Sequence, residues 1–186
     1  MAYCSKYLLN RQKIIRPDQI FKAIEKYFEY LPENKRKFIY RVEWFHMGIS
    51  VPVTVYSKMQ PLMQVFKECQ MYELNQLEEL PNNGSEMNFS IFVVPSKNNK
   101  EYDEATLNKW FEKKLDGIAQ IKKIEFGPNN CIYYTKDDDT QESLQTYTIK
   151  GRLKIVNRDE LEKIREKCIG YYSQFGVGLL ELKKAE

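Results

Sequence analysis

The chain has 186 residues, enough for one domain or two small ones. Apolar residues make up 42% of it, which supplies a real core, and the formal net charge of +3 neither demands nor forbids a nucleic-acid partner, so that case rests on where the basic residues cluster. The single histidine and the four cysteines, Cys4, Cys69, Cys131 and Cys168, show no metal-ligand spacing, so no metal and no cofactor is expected, and reduced thiols fit a cytoplasmic protein. The first residues, Met1-Ala-Tyr-Cys-Ser-Lys, have no signal-peptide core, and no apolar run approaches the roughly 18 residues of a membrane span, so no membrane partner is expected.

In chain order, residues 5–9 read as a short strand, followed by a basic loop at 11–16. Pro17-Asp18 opens a helix, because proline suits a first turn. Ile20, Ile24, Tyr27, Phe28 and Leu31 then recur at helical spacing and form one apolar stripe with Phe21 at its edge, until Leu31-Pro32 stops the helix. Residues 37–45 and 50–56 alternate as two strands of a hairpin, and residues 61–69 suggest a short helix. Pro81-Asn-Asn-Gly84 is a turn and the best linker candidate.

The second half repeats the pattern. Residues 88–94 read as a strand and 103–115 as a helix with Leu107, Trp110, Phe111 and Leu115 on one face. Residues 118–126 read as a strand, and 131–135 with 144–155 as a hairpin around an acidic tip, Lys136-Asp-Asp-Asp139. A helix at 159–168 turns Leu161, Ile164 and Cys168 inward, and 175–182 closes the chain as a strand. Strand–helix–strand–strand–helix–strand, read twice, predicts an α+β fold of two tandem ferredoxin-like βαββαβ units, 1–84 and 85–186, with the first copy weaker in its second helix. Alternating strands and helices also occur in parallel α/β folds, but the hairpins in both halves argue for antiparallel sheets.

The end of the chain joins Gly151-Arg-Leu-Lys-Ile-Val-Asn-Arg-Asp159 to a helix and then to Ile169-Gly-Tyr-Tyr-Ser-Gln-Phe-Gly-Val-Gly-Leu-Leu-Glu-Leu182. That strand, helix, glycine loop and strand resemble the ending of the CRISPR repeat-RNA endoribonucleases, and most closely the subunit that processes guide RNA in type I-E Cascade. Tyr3-Cys-Ser-Lys-Tyr-Leu-Leu9 resembles the family's first strand, Phe38-Ile-Tyr-Arg-Val-Glu43 its second, and the Trp110 helix its Trp-bearing helix. In Phe89-Ser-Ile-Phe-Val-Val-Pro-Ser-Lys97, Pro95 and Lys97 match the family, while Phe92 and Val94 stand where Arg and Asn are usual. Gly170, Gly176 and Gly178 match the glycine loop, with Cys168 in place of its first glycine and Ser173 where a lysine is usual.

The resemblance implies metal-free RNA cleavage: a base takes the proton of a 2′-OH, the 2′-oxygen attacks the adjacent phosphate in line, and an acid protonates the departing 5′-oxygen. The family's histidine near the start of the first helix falls at Phe21, which moves no proton and reads as packing at the stripe edge. His46, the only imidazole, follows the second strand. Parallel first and second strands put that end beside the start of the first helix, so His46 is a candidate for proton transfer, against an ordinary surface histidine at a turn. Tyr27 and Lys22 are the further catalytic candidates, although a lysine base needs a strongly depressed pKa. Candidate RNA contacts are Arg11, Lys13 and Arg16 in the loop, Lys26 on the helix, Lys97 and Lys100 after the second half's first strand, and Lys113 on its helix, each otherwise a solvated charge. Gly176 and Gly178 are candidates through backbone amides that approach phosphate, against a purely structural role.

The resemblance thus implies a subunit that binds the stem-loop of a CRISPR repeat RNA and processes or caps guide RNA beside other Cascade subunits. The alternatives are a non-cleaving RNA-binding subunit of that complex, which Phe21 favours, and a ferredoxin-like RNA-binding module outside CRISPR.

Overall fold

A computed structural model describes residues 2–13, 16–28, 38–46, 48–136 and 139–185. The helix stop at Leu31-Pro32 and the acidic residues Asp137 and Asp138 lie outside them. The chain forms two compact units. One comprises Met1–Glu78, Tyr134–Gln141 and Ser173–Gly176, and the other Glu79–Tyr133, Glu142–Tyr172 and Val177–Glu186.

The first unit holds β1 (Tyr3–Asn10), α1 (Pro17–Glu25), β2 (Phe38–Val42), β3 (Ser50–Ser57) and β4 (Cys69–Gln76). Its sheet order is β2-β3-β1-β4, every neighbour antiparallel, so β1 and β2 both oppose β3 and run the same way. This is the ferredoxin-like order. The period-2 pattern decides which face is buried: Tyr7 and Leu9 of β1 lie opposite Val53 and Val51 of β3, and all four are buried. Ile20, Ile24, Tyr27 and Phe28 of the expected stripe pack on that face together with Ala23, but α1 ends at Glu25, so Tyr27 and Phe28 reach the core from the turn after the helix.

The helix expected at 61–69 is absent. Leu62 N–H donates to the Tyr27 carbonyl (2.7 Å), and Phe66 packs edge-on against the Tyr27 ring (4.8 Å between centroids). These long-range contacts hold the segment open, and Cys69 then begins β4 on the free edge of β1, a strand that the sequence pattern did not announce.

The second unit holds β5 (Glu86–Val93), α2 (Glu104–Lys114), β6 (Ala119–Phe126), α3 (Arg158–Arg165), β9 (Leu180–Lys184), and most of β7 (Asn130–Thr135) and β8 (Gln141–Ile155). The sheet order is β6-β8-β5-β9, with β7 paired to β8. Ile91 lies opposite both Ile149 and Leu180, and Phe89 opposite Gly151 and Leu182, which builds a core with Leu107, Phe111 and Leu115 of α2 and Leu161 of α3. Gly151 is required there, because a Cβ would lie 2.0 Å from the Lys123 carbonyl oxygen. Both helices start on side-chain caps: Asp103 Oδ1 accepts from Thr106 N–H (2.7 Å) and Asn157 Oδ1 from Glu160 N–H (3.2 Å).

The closing strand also departs from expectation. Ser173–Phe175 is a 3-10 turn and β9 starts only at Leu180. Gly176 (φ +71°) and Gly178 (φ +92°) are left-handed, which a strand excludes.

Candidate functional site

The candidate site lies at the edge of the first unit where β1 ends and α1 starts. Past Asn10 the chain turns tightly: Gln12 N–H donates to Asn10 Oδ1 (2.9 Å) and Lys13 N–H to the Asn10 carbonyl (3.0 Å). Arg16 precedes α1, its N–H donating to Gln19 Oε1 (3.0 Å). Because β1 and β2 run the same way, the β2–β3 turn comes to this edge. Arg11 N–H donates to the Ile49 carbonyl (3.0 Å), and Arg11 Nη2 to the carbonyls of His46 (2.6 Å) and Trp44 (3.1 Å). Arg11, Lys13, Arg16 and His46 are all exposed. The topology therefore brings Arg11 and His46 together from positions far apart in sequence. The His46 ring lies against Gly48, where a Cβ would stand 3.3 Å from its Cε1.

At Phe21, where the resemblance leads one to expect a histidine, the structure shows packing. Phe21 is half-buried and stacks on Phe38 (5.1 Å), which stacks in turn on Phe28 (5.0 Å). Beside it, residues 173–176 run along β2 and accept hydrogen bonds from that strand and from the turn after it. Val42 N–H donates to the Gly176 carbonyl (3.0 Å), Trp44 Nε1 to that of Phe175 (2.7 Å), and the Tyr40 hydroxyl to that of Gln174.

The other candidates of this unit separate. Tyr27 is fully buried, its hydroxyl donates to the Cys69 carbonyl (2.5 Å) and accepts from Met71 N–H (3.3 Å), and burial raises its phenol. It is a core residue that joins the turn after α1 to β4. Lys22 is exposed on α1. Lys26 pairs with Glu68 (3.7 Å) over the Phe66 ring (5.9 Å), and the Glu68 carboxyl is held below its ordinary range by its own backbone N–H and by Lys26.

In the second unit, Lys97, Lys100 and Lys113 are exposed, the last in the final turn of α2. Lys97 lies on a loop held at several points. Asn99 (φ +53°) donates from Nδ2 to the Ser143 carbonyl (2.8 Å), and its Oδ1 accepts from Gln145 N–H (2.5 Å). Tyr172, a non-glycine residue at φ +61°, donates its hydroxyl to the Lys97 carbonyl (2.6 Å), and Lys97 Nζ stands 5.8 Å from the exposed Tyr171 ring. Sequence reasoning missed both tyrosines. The signal was a tandem pair beside Gly170, whose Cβ would meet the Val94 carbonyl at 2.7 Å.

Gly176 and Gly178 are buried, and their N–H groups donate to Ser173 O (3.1 Å) and Phe92 O (2.6 Å). They shape the chain. Phe92 and Val94, standing where the resemblance puts polar residues, are buried, and their carbonyls receive Gly178 and Tyr171 N–H.

Among the described residues, no group of three or more His, Cys, Asp or Glu could hold a metal ion, and no helix is long and apolar enough to cross a membrane.

A search of curated proteins by sequence finds no match. Solved structures of similar fold are numerous. The CRISPR-associated protein Cas6e from Escherichia coli has a TM-score of 0.82 at 19% identity, covering 98% of this chain and 100% of that one. Thermus thermophilus Cse3, bound to an RNA representing a pre-cleavage complex, has a TM-score of 0.80 at 16% identity over 98% and 100%. A chain of a CRISPR RNA-guided surveillance complex has a TM-score of 0.71 at 14% identity over the same shares. At these identities the likeness is one of fold. A family model described as CRISPR associated protein matches residues 3–184, nearly the whole sequence, and the chain belongs to that family of CRISPR-associated proteins.

Proposed function

We propose that the chain binds the stem-loop of a CRISPR repeat RNA and processes or caps guide RNA as a cytoplasmic subunit of a Cascade-type surveillance complex, with other Cascade subunits as its protein partners. The observation that carries the reading is one edge of the first unit, with exposed Lys13 and Arg16 between β1 and α1 and exposed His46 on the β2–β3 turn that Arg11 holds, in a fold that it shares with RNA-bound Cse3. Exposed Lys22, Lys97, Lys100 and Lys113 add charge for phosphate contacts, and Tyr171 adds a ring for base stacking. Gly176 supports the site by allowing residues 173–176 to lie along β2.

In this reading His46 moves the proton. A positioned imidazole takes a 2′-OH proton, the 2′-oxygen attacks the neighbouring phosphorus, and the 5′-oxygen leaves with a proton, giving a 2′,3′-cyclic phosphate. The non-cleaving alternative is favoured by one observation: the Phe21 ring is packed on Phe38, so the family's usual proton carrier is replaced by a hydrophobic contact.

The test is incubation with the cognate repeat hairpin in EDTA. We expect weak cleavage that falls by about 10²–10⁴ in His46→Ala while hairpin affinity is kept. Phe21→His is expected to raise cleavage. Undiminished cleavage by His46→Ala removes His46 from the mechanism, and no cleavage by the parent with a gain in Phe21→His selects the capping subunit.

A further inference from the structure

We infer that Arg11 is a positioning residue for the turn that carries His46, and not a phosphate contact; its catalytic meaning rests on the reading that His46 moves the proton. The sequence alone groups Arg11 with Lys13 and Arg16 as one basic loop. The geometry ties it to the β2–β3 turn. One nitrogen, Nη2, donates to the Trp44 carbonyl (3.1 Å) and to the His46 carbonyl (2.6 Å), on either side of Phe45. The Arg11 backbone N–H donates to Ile49 across the hairpin (3.0 Å). One residue at the end of β1 therefore holds the turn at 44, 46 and 49.

The peptide groups of His46 are then committed on both sides. Its N–H donates to the Glu43 carbonyl (3.0 Å), and its C=O receives the guanidinium. What remains free to orient is the imidazole, lying against Gly48. The turn is exposed at Phe45, His46, Gly48 and Ile49, where a hairpin tip would otherwise be mobile. Proton transfer demands placement to a fraction of an ångström, and a charged donor makes stronger hydrogen bonds than a neutral one. Both hydrogens of Nη2 are spent on carbonyls, which sets the guanidinium plane against the turn; the three N–H donors on Nη1 and Nε are what the salt dependence tests against phosphate.

The test uses the fact that the chain has one histidine, so its imidazole protons give a single set of NMR signals. Arg11→Met, which keeps the length and removes the donors, is expected to shift and broaden them. Arg11→Lys, which keeps a donor, is expected to return them close to the parent position. Hairpin affinity measured across a salt series should keep its slope in Arg11→Met, whereas Lys13→Met should lower the slope by about one, the loss of one phosphate contact. In a cleaving protein, Arg11→Met should reduce the rate at saturating RNA by about tenfold or more with KM little changed, the pattern of a lost transition-state interaction. His46 signals unmoved in Arg11→Met, with the salt slope lowered by about one, would overturn the proposal and return Arg11 to the phosphate contacts. Signals that move in a parent that binds hairpin RNA but never cleaves would uphold the placement of the turn and remove only the proton-transfer reading.

Discussion

Two aromatic residues shape the edge of the first unit. Phe21 extends the stack of Phe28 and Phe38, and on the resemblance its ring would stand where a histidine is expected, so packing would be gained where a proton carrier is given up. Trp44, two residues before His46, uses its indole N–H to hold the Phe175 carbonyl and so ties the β2–β3 turn to residues 173–176. Gly176 makes that contact possible. Its φ is +71°, and a Cβ there would meet Val42 Cγ2 at 2.3 Å. Gly176→Val is therefore expected to destabilise the protein by about 1–3 kcal/mol, from left-handed strain in a β-branched residue. Chemical denaturation measures it, and an unchanged midpoint would mean that residues 173–176 are not held against β2. Neither the indole bond nor the Gly176 contact was legible in the sequence, since each joins residues more than a hundred positions apart.

At the scale of elements, local signals were read well where local chemistry sets the boundary. α2 begins at its Asp103 cap, and α3 follows Asn157, whose side chain accepts Glu160 N–H while Asn83 Oδ1 accepts Arg158 N–H (2.8 Å). The Pro81–Gly84 turn thus caps a helix from a distance. Asn157→Ala is expected to cost about 1 kcal/mol and Asn157→Asp close to nothing, because only the second keeps the acceptor. Equal losses in the two variants, followed by urea unfolding, would show that the cap is not the cause. Signals failed where a partner strand decides. Residues 61–68 carry enough apolar residues for a helix, yet Tyr27 takes the Leu62 amide and packs on Phe66. β4 is a strand because β1 offers it an edge, and its own alternation is weak.

At the scale of the molecule, the core of the first unit withdraws ionisable groups from water, Cys69, Tyr7 and Tyr27 among them. Burial pushes the Cys69 thiol up to about 12 and raises the phenols of Tyr7 and Tyr27. The folded chain keeps these protons at pH values where the unfolded chain, with a thiol near 9.0, has released them. The stability they contribute is whole below about pH 9 and is lost as pH rises toward the folded values. The denaturation midpoint should therefore decline through this alkaline range, and Cys69→Ala should decline less steeply than the parent. An identical decline in that variant would place the cause outside Cys69.

The sequence by itself determined the α+β class, the doubled ferredoxin-like order and the family, because hydrophobic period, caps and turns are local properties that recur along a chain. It also marked Phe21 as unable to move a proton and left His46, the one imidazole, as a candidate. Only the tertiary structure decided that the tip segment 134–141 and residues 173–176 belong to the first unit, that Tyr27 is core, and that the amides of Gly176 and Gly178 are already bonded. It alone separated Arg11, bound to the His46 turn, from Lys13. The reason is physical: a basic side chain has the same composition whether its donors meet water, a phosphate or a carbonyl, and only the folded neighbours settle which acceptor it finds.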